Sequence, residues 1–525
     1  MFTTTSNSTV LTSEACSLIF WWVKRDARLA DNPALIHALS LGTGVVIPLV
    51  ILEPHFFSAN ETSSFHRAAI LDSVISLRKS LARIGGALLA FEQEVITTFE
   101  YILEKTKRFR LVSHQETGTE LTYARDRAVK RWCKVNGIVW DELPQNGVIR
   151  CLDSRDNREV IWRQRMSSPI LKPPSSISNR ATVERLASGL SNHAVCPITK
   201  GRWIELEAER DLLFSTNSLQ RVHESAAHQT LESFLSDRVR FYSGGISAPE
   251  LATVHGSRLS PHLAWGTISL RVLYQATLAQ LNNIKESGTY FASYESKQWQ
   301  QSLRAFLSRL HWRDHFIQRL ECEPQMEFKP LSKVFDDLPY ITENNPLFNA
   351  RLMAWVHGMT GVPMVDACMR ALRETGFLNF RMRAMLVSYA CHVLHLSWRS
   401  ILNPFARVFY DFEPGIHISQ VQMQAGVVGI NTVRLYSPDK QLQDHDPKGS
   451  FVYKWCPELR DISPSRLAKH ASLQVVNYPS PLAEYTTSSK IMISEIYKRK
   501  KSALGFEIAK EVYRRHGSRS KKSAK

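Results

Sequence analysis

Residues 18–52 read LIFWWVKRDARLADNPALIHALSLGTGVVIPLVIL, a stretch that begins and ends with an uninterrupted apolar run. The two runs are LIFWWV (18–23) and VVIPLVIL (45–52), and further short apolar segments follow at 87–91, 109–114 and 137–143. Runs of this length, flanked by turn residues, are typical of strands that are buried on both faces of a parallel sheet. The first 150 residues are therefore predicted to contribute five strands.

Helical periodicity fills the segments between these runs. In HRAAILDSVISLRKSLARIGG (66–86), Ile70, Val74, Leu77 and Leu81 repeat on one face, and two glycines close the helix. Strands that alternate with helices predict an α/β domain with a doubly wound parallel sheet. No G-x-G-x-x-G motif follows the first strand, so an ordinary dinucleotide site is not predicted in this half.

The remainder of the chain shows a different pattern. Residues 167–202 are dense in Pro, Ser and Asn, whereas apolar residues at three and four spacing dominate from 203 onward. We therefore predict four regions: an α/β domain at 17–166, an interdomain linker at 167–202, a larger all-α domain at 203–470 and a basic C-terminal extension at 471–525.

Net charge and composition indicate which binding partners and which cellular compartment to expect. The chain has 66 Lys and Arg against 49 Asp and Glu, a net charge of +17 that suggests a nucleic-acid partner first and an anionic membrane second. About half of the excess lies in the basic stretch after residue 497, which could be an unspecific tail. Residues 1–17 resemble a loose leader rather than a secretory signal, and no apolar run could cross a bilayer. The eight cysteines form no C-x-x-C pair, so reduced thiols are expected and no metal site is predicted.

Four segments of the helical region have compositions suited to a buried polar ligand. HGSRLSPHLAWGTIS (255–269) brackets an arginine with two serines, which suits a phosphate, although a plain N-cap is favoured from this segment alone. FLSRLHWRDHF (306–316) interleaves aromatic and basic residues as base stacking requires, and a core Trp beside a surface Arg explains it equally well.

The other two segments place charge among apolar residues. Two arginines precede an otherwise apolar helix in GFLNFRMRAMLVSYA (376–390), which suggests an anionic partner for them. The alternative is that they lie in a solvated first turn of the helix. In the segment 409–441, Asp411 and Glu413 need a partner such as Arg383 or a ligand ring, and a long surface loop is the alternative. Composition and spacing support a buried polar ligand in a basic, helical domain.

Taken in order, six stretches resemble the photolyase/cryptochrome family across residues 17–460. They are FWWVKRDARLADNPAL (20–35), HQETGTELTYARD (114–126), LPQNGVIR (143–150), GSRLSPHLAWGTIS (256–269), MTGVPMVDACMRALRETGFLNFRMRAMLVSY (359–389) and LYSPDKQLQDHDPKGSFVYKWCPEL (435–459). The runs QVQMQAG and GINT point to a divergent branch, similar to bacterial and plant photolyase-like proteins. The resemblance implies an FAD in the helical domain and blue-light chemistry on pyrimidine dimers in DNA.

The resemblance also implies site residues. The cofactor-binding positions would be Tyr242, Gly256, Ser257, Arg258, Leu259, Ser260, Arg383, Asp411, Phe412 and Glu413. Within this set, Arg383 would pair with Asp411, and Gly256 stands where many relatives have Thr. The positions facing damaged DNA would be Arg309, Trp312, Arg313, Phe380, Arg381 and Gln441.

Several positions depart from the family pattern. Arg309 replaces a dimer-binding Glu, Gln422 a stacking Trp, and Phe380 an Asn. Of the electron-transfer tryptophans only Trp398 has a match, since Gln420 and Asn345 fall at the other two places. A second antenna chromophore is expected in the α/β domain, without a readable identity.

Three functions therefore remain open. A light-driven lyase that repairs UV-damaged DNA is placed first, because the net charge and the segment around Trp312 favour it. A cryptochrome-type photoreceptor without repair is second, and a light-independent nucleic-acid-binding flavoprotein is third. The chain is expected to be a monomer, neither secreted nor membrane-bound, in the cytoplasm or nucleoid if bacterial, with no identifiable signalling partner.

Overall fold

The computed structural model describes residues 18–42, 44–152, 154–188, 195–286 and 293–517. The leader predicted at 1–17 and Cys16 lie outside these ranges. Within them, none of the helices combines the length and apolar character that crossing a membrane requires. The seven described cysteines are all free thiols.

The N-terminal region contains a five-stranded sheet in the order β3-β2-β1-β4-β5, and every neighbouring pair is parallel. The strands are β1 (Leu18–Val23), β2 (Val45–Ile51), β3 (Leu89–Phe91), β4 (Arg110–His114) and β5 (Val139–Leu143). The central strand is the first in sequence, and the chain winds outward from it in both directions. This confirms the predicted doubly wound α/β sheet.

Side-chain alternation on β1 explains why both faces of the sheet are covered. Ile19, Trp21 and Val23 point into one apolar core, and Leu18, Phe20 and Trp22 point into the other. The helices of this region are α1 (Pro33–Ser40), α2 (Pro54–Ser58), α3 (Ser64–Arg83), α4 (Val95–Thr106), α5 (Glu120–Val135) and α6 (Arg158–Ser167). The helix predicted around 70–81 is α3, which buries Val74, Leu77 and Leu81.

Helices dominate the second half, as predicted. They are α7 (Arg180–Ser188), α8 (Lys200–Ser215), α9 (Glu224–Ser236), α10 (Tyr242–Gly245), α11 (Pro249–His255), α12 (Ser260–Ala264), α13 (Leu270–Glu286), α14 (Ser293–Cys322), α15 (Leu347–His357), α16 (Pro363–Thr375), α17 (Phe380–His392), α18 (Trp398–Arg407), α19 (Pro414–Gln424), α20 (Pro438–His445), α21 (Ser450–Trp455), α22 (Pro464–Leu467), α23 (Tyr485–Lys500) and α24 (Ala503–His516). Short 3₁₀ helices occur at Arg155–Asn157, Arg238–Phe241, Pro324–Glu327, Lys333–Phe335, Pro457–Leu459 and His470–Ser472.

The stretch predicted as an interdomain linker has structure of its own. It contains α7 and the start of α8, and it runs along the α/β domain. The backbone N–H of Ile177 donates to Ile84 O at 2.9 Å, and the Asn179 side chain donates to Val46 O at 2.9 Å. The linker is therefore held against the sheet domain by main-chain contacts.

The two domains meet at the turn after β1. The Arg28 guanidinium is 1% exposed and donates to Gly266 O at 2.8 Å, on the helical domain. Asp31 accepts hydrogen bonds from Ser269 and Arg271, also on the helical domain. Gly266 has a φ of +67°, and a Cβ there would clash with Arg25 O, so glycine is required for this close approach.

The C-terminal region differs from the expected unspecific tail. Met492 and Ile496 of α23 are fully buried in the core of the helical domain. Arg499 pairs with Asp337 at 3.1 Å, and both Arg515 and His516 of α24 pair with Glu323. The interpretation as a loose basic tail is therefore wrong for residues 485–516, because apolar side chains and ion pairs dock both helices onto the domain.

Candidate functional site

The segment predicted to hold phosphates forms a tight loop between α11 and α12. Arg258 adopts a left-handed conformation with a φ of +60°, an uncommon position for a residue with a side chain. Arg238 donates to the carbonyls of Gly256 and Ser257, and Gln220 donates to Arg258 O at 2.9 Å. Side chains from outside the segment therefore fix the course of its backbone.

Gly256 has a local reason to be glycine. A Cβ on this residue would clash with Ala252 O in the last turn of α11. A threonine, which many relatives carry here, would force the end of α11 to move. Of the other loop residues, Leu259 is buried at 1% exposure, and Ser257 Oγ accepts the Leu259 N–H at 3.4 Å.

The predicted ion pair between Arg383 and Asp411 is confirmed. Arg383 Nη2 donates to Asp411 Oδ2 at 2.9 Å, and its guanidinium lies 4.1 Å from the centre of the Phe409 ring. Burial lowers the pKa of Arg258 to about 10, while the charge of Asp411 opposes that shift and Arg383 and Arg238 reinforce it. Arg383 and Arg238 therefore lie close to Arg258, with Asp411 as a carboxylate nearby, and this excess of positive charge suits an anion.

Glu413 directly precedes α19 and contacts α14. Its Oε2 accepts from Arg313 Nη2 at 2.9 Å, and its Oε1 lies 3.7 Å from Arg25 Nη1 of the α/β domain. Arg313 also donates to Asp314 and to Leu263 O. The guanidinium of Arg313 is committed to these internal acceptors and positions Glu413, and its contact with DNA stays a prediction.

Asp411 Oδ1, Glu413 Oε1 and Asn379 Oδ1 are buried acceptor oxygens without a hydrogen-bond partner within the described ranges, and Gln220 Oε1 beside Arg258 is another. Asn379 uses its amide to donate to Ile246 O and Ser247 O at 3.0 and 2.7 Å, which leaves its oxygen over. Buried acceptors are rarely left unsatisfied in native proteins. The N–H of a flavin ring and the hydroxyls of its ribityl chain would supply the missing donors, and the three arginines would balance the phosphates. The residues present therefore fit FAD.

Two further predicted cofactor residues are aromatic. Tyr242 is 8% exposed, its ring packs edge-on against Phe234 and Phe306, and burial raises its pKa to about 12. Phe412 stacks on His66 with ring centroids 5.4 Å apart. Neither residue carries charge in the folded protein at neutral pH, so both can offer only apolar or neutral polar contact.

Sequence reasoning missed the histidines beside Phe412. His66 comes from α3 of the α/β domain and donates through Nε2 to Phe409 O at 2.9 Å. His417 of α19 donates in the same way to Leu402 O at 2.9 Å, and its ring meets Phe412 edge-on. His417 lies in a segment that the sequence had already singled out, but the contact from His66 spans more than 300 residues and leaves no local signal.

The residues predicted to face DNA divide into two groups. Trp312 and Phe380 are 42% and 49% exposed, Arg309 is exposed, and Arg381 is half-buried. Gln441 is only 6% exposed, so little of its side chain is accessible to DNA.

Gln422, the expected substitute for a stacking Trp, is fully buried. Its amide donates to Met326 O and Lys329 O, and its oxygen accepts the Leu331 N–H. The side chain therefore holds the loop that follows α14, and both of its polar atoms are committed there.

Trp398, the predicted electron-transfer residue, opens α18 and is fully buried, with Arg399 4.7 Å from its ring centre. The positions of the two absent tryptophans hold polar contacts, since Gln420 accepts from the Gln424 amide and Asn345 Oδ1 accepts the Leu347 N–H. The structure adds an aromatic row that the sequence did not reveal. Trp355 packs on Phe405 at 5.2 Å, Phe405 packs on Phe409 at 4.5 Å, and Phe409 lies beside Arg383.

Comparison with known proteins gives consistent matches over both domains. Residues 19–161 match the model of the DNA photolyase family, and residues 306–498 match that of the FAD binding domain of DNA photolyase. A deoxyribodipyrimidine photo-lyase of Thermus thermophilus is 28% identical over 450 residues, covering 84% of this chain and 93% of the relative.

Solved structures show the same fold. A Synechocystis cryptochrome has a TM-score of 0.75 at 20% identity, over 91% of this chain and 99% of the other. An archaeal photolyase from Sulfolobus tokodaii, solved with two FAD molecules, has a TM-score of 0.70 at 23% identity, over 92% of this chain and 99% of the other. With an α/β domain, a helical FAD-binding domain and a pocket whose unsatisfied acceptors fit a flavin, this chain belongs to the photolyase/cryptochrome family.

Proposed function

We propose that the protein is a blue-light-dependent DNA photolyase that uses reduced FAD to split UV-induced pyrimidine dimers. One observation carries the proposal: the exposed rings of Trp312 and Phe380 lie next to the pocket. Trp312 directly precedes Arg313, which holds Glu413, and Phe380 is one helical turn from Arg383. A damaged base stacked on either ring would therefore lie within about one turn of the cofactor residues.

The chain's own residues would bind and orient the cofactor. The loop 256–260, together with Arg238 and Arg258, would hold the phosphates, and Asp411, Glu413 and Asn379 would accept hydrogen bonds from the ring and ribityl chain. Arg383 donates to one oxygen of Asp411, which leaves the other oxygen of this carboxylate to accept from a ligand. Bound FAD supplies the light-driven electron transfer that amino-acid side chains cannot.

Names of relatives support the same activity, because several are deoxyribodipyrimidine photo-lyases at 24–28% identity. The alternative is a photoreceptor without repair activity. Its support is that Arg313 and Gln441, two residues expected to meet DNA, turn inward.

Light-dependent repair by the reduced protein tests the proposal. The protein is purified in the dark, reduced, and illuminated with blue light on DNA that carries a cyclobutane dimer or a 6-4 photoproduct. Restoration of either lesion supports a photolyase and names its substrate. No restoration of either lesion, from a protein with bound and photoreducible FAD, assigns it to the photoreceptor class.

Variants at the exposed rings sharpen this test. Trp312→Ala and Phe380→Ala should each weaken binding of lesion DNA by about 1–3 kcal/mol, the value of one base–aromatic stack, with unchanged flavin content. Leu251→Ala, which removes an exposed apolar side chain on α11, is the control. Equal lesion affinity in all variants would remove the two rings from the DNA surface.

We retain Trp398 as an electron-transfer residue and add Trp355, because the aromatic row from Trp355 ends beside Arg383. Photoreduction of the flavin should slow in Trp398→Phe, in Trp355→Phe or in both, whereas Trp203→Phe in the α/β core should not change it. Wild-type rates in all three variants would exclude both routes.

A second chromophore is proposed for the cavity of about 400 Å³ between α5 and the end of α14. Its lining combines Tyr123 and Phe328 with charged groups, including Arg127 and Glu321. A planar pigment could stack there on the aromatic residues. Purified protein with an absorbance band that flavin does not explain, and that Phe328→Ala abolishes, would support this site, whereas FAD absorbance alone would count against it.

A further inference from the structure

A group of buried and half-buried basic side chains lies beneath Trp312, where α14 meets the start of α6. This Arg–His cluster consists of Arg155, Arg158, His311, His315 and Arg319. Arg158 and Arg319 are 4% and 5% exposed, and His315 is 8% exposed. Arg155 Nη2 lies 2.7 Å from His315 Nδ1, and Arg319 Nη2 lies 3.2 Å from His315 Nε2.

The hydrogen-bond donors around His315 outnumber the acceptors that its ring offers. Burial, reinforced by the surrounding cations, lowers its pKa to about 2, so the ring is neutral at physiological pH. A neutral imidazole has one acceptor nitrogen and one N–H donor. Both ring nitrogens face guanidinium donors, so one of the two contacts sets a donor against a donor. An added acceptor would resolve this conflict.

Arg158 and Arg319 also have guanidinium nitrogens without an acceptor. Nε and Nη2 of Arg158, and Nε and Nη1 of Arg319, are buried without a hydrogen-bond partner among the residues described. Two neighbouring carboxylates of the described residues are committed elsewhere. Asp314 accepts from Arg313, Gly147 N and Trp162, and Glu323 accepts from Arg515 and His516.

We propose that the Arg–His cluster is an oxyanion-binding site and that its ligand is a backbone phosphate of the bound DNA. Trp312 covers the cluster, with its ring centroid 4.9 Å from that of His315 and 5.6 Å from that of Phe316. A strand whose base stacks on the exposed side of Trp312 carries its phosphates past the same point. Phosphate oxygens are pure acceptors, and guanidinium groups match them in geometry. The identity of the ligand as DNA rests on the proposed function, whereas the oxyanion chemistry does not.

The test uses Arg319→Met and Arg158→Met in the full-length protein, which keep much of the side-chain volume. Arg163→Met on α6 is the matched control, because Arg163 is 69% exposed and paired with Glu159. The first measurement compares thermal unfolding in sodium phosphate and in sodium chloride at equal ionic strength. The second measures, in the dark, how the affinity for undamaged duplex DNA depends on salt.

We expect phosphate to raise the Tm of the wild type and of Arg163→Met, and to lose this effect in the two cluster variants. The salt slope of DNA binding should fall by about one in each cluster variant, the change expected for one lost phosphate contact. A lost phosphate effect with an unchanged slope would assign the site to a free phosphate and overturn the DNA assignment. No phosphate effect and no slope change would overturn the site itself. Both measurements avoid lesions and light, so they can succeed even if the protein fails to repair DNA.

Discussion

Two buried charged regions of this molecule differ in how completely their hydrogen bonds are satisfied. At the domain interface, both oxygens of Asp31 accept: Oδ1 from Leu171 N and Arg271, and Oδ2 from Ser269 and Arg271. In the cofactor pocket, Asp411 uses only one oxygen, for Arg383, and the other is buried without a partner in the described structure. The hydrogen bonds of Asp31 are complete within the protein and hold the two domains together. Asp411, in contrast, has an acceptor oxygen that a ligand could use.

This difference distinguishes a charged residue that stabilises the fold, such as Asp31, from one that can bind a ligand, such as Asp411. In sequence, both carboxylates stand among arginines and apolar residues and look alike. The number of acceptor positions left over distinguishes them, because a buried acceptor without a donor costs free energy that a ligand can recover. Loss of an interface charge should therefore lower stability, and loss of a pocket charge should lower cofactor affinity.

The largest effect is expected at the interface. Asp31→Ala leaves Arg271 without its carboxylate partner, and breaking a buried pair in this way costs about 3–5 kcal/mol. Urea denaturation should show this loss, with normal flavin content in the protein that remains folded. Asp211→Ala removes an exposed partner of Arg210 and should cost less than about 1 kcal/mol. A similar loss in both variants would contradict the structural role of Asp31.

In the pocket, Arg383→Ala should weaken FAD binding by about 100-fold, since the buried Asp411 loses its counter-charge, a change of about 3 kcal/mol. Flavin-to-protein ratios and FAD titration measure this directly. Arg373→Ala, at an exposed position of the neighbouring helix α16, is the control. A yellow Arg383→Ala protein with full flavin content would show that the pair does not support the cofactor.

A smaller effect concerns the histidine of α19. Burial lowers the pKa of His417 to about 4, so it is neutral in the folded protein while the unfolded chain binds a proton below about pH 6.5. Its contribution to stability is therefore present at neutral pH and is lost as the pH falls from 6.5 towards 4. In His417→Gln, which keeps a donor for Leu402 O, the slope of stability against pH should fall by about 1 kcal/mol per pH unit. Unfolding free energies measured between pH 7 and 5 that keep the wild-type slope would contradict this.

The smallest effect lies at Glu327, against the α/β domain. Burial raises its pKa to about 7, and its carboxyl accepts the Glu120 N–H at 2.7 Å. Because the folded protein holds this proton more tightly than the unfolded chain, stability falls as the pH rises from about 4.5 to 7. Glu327→Gln should gain about 1 kcal/mol at pH 8 relative to pH 4, a value reduced for the partial exposure of the side chain. Parallel pH curves for the variant and the wild type would place Glu327 outside this linkage.

The sequence predicted those features that depend on local pattern or on spacing within one segment. Strand runs and helix periods gave the sheet and α3, and the Arg383–Asp411 pair followed from two segments of the resemblance. The pair between Arg313 and Glu413, which are 100 residues apart, was not predicted. Contacts from His66 and Arg238 were missed for the same reason, since no periodicity in the chain reports which distant backbone a side chain will reach.

Titration of the flavin-depleted protein with FAD tests the central claim most directly, because the account depends on a pocket built for that cofactor. We predict one FAD bound in the helical domain, with affinity reduced in Asp411→Ala and Arg383→Ala and unchanged in Arg373→Ala. Absence of FAD binding, or equal affinity in all of these proteins, would contradict the account.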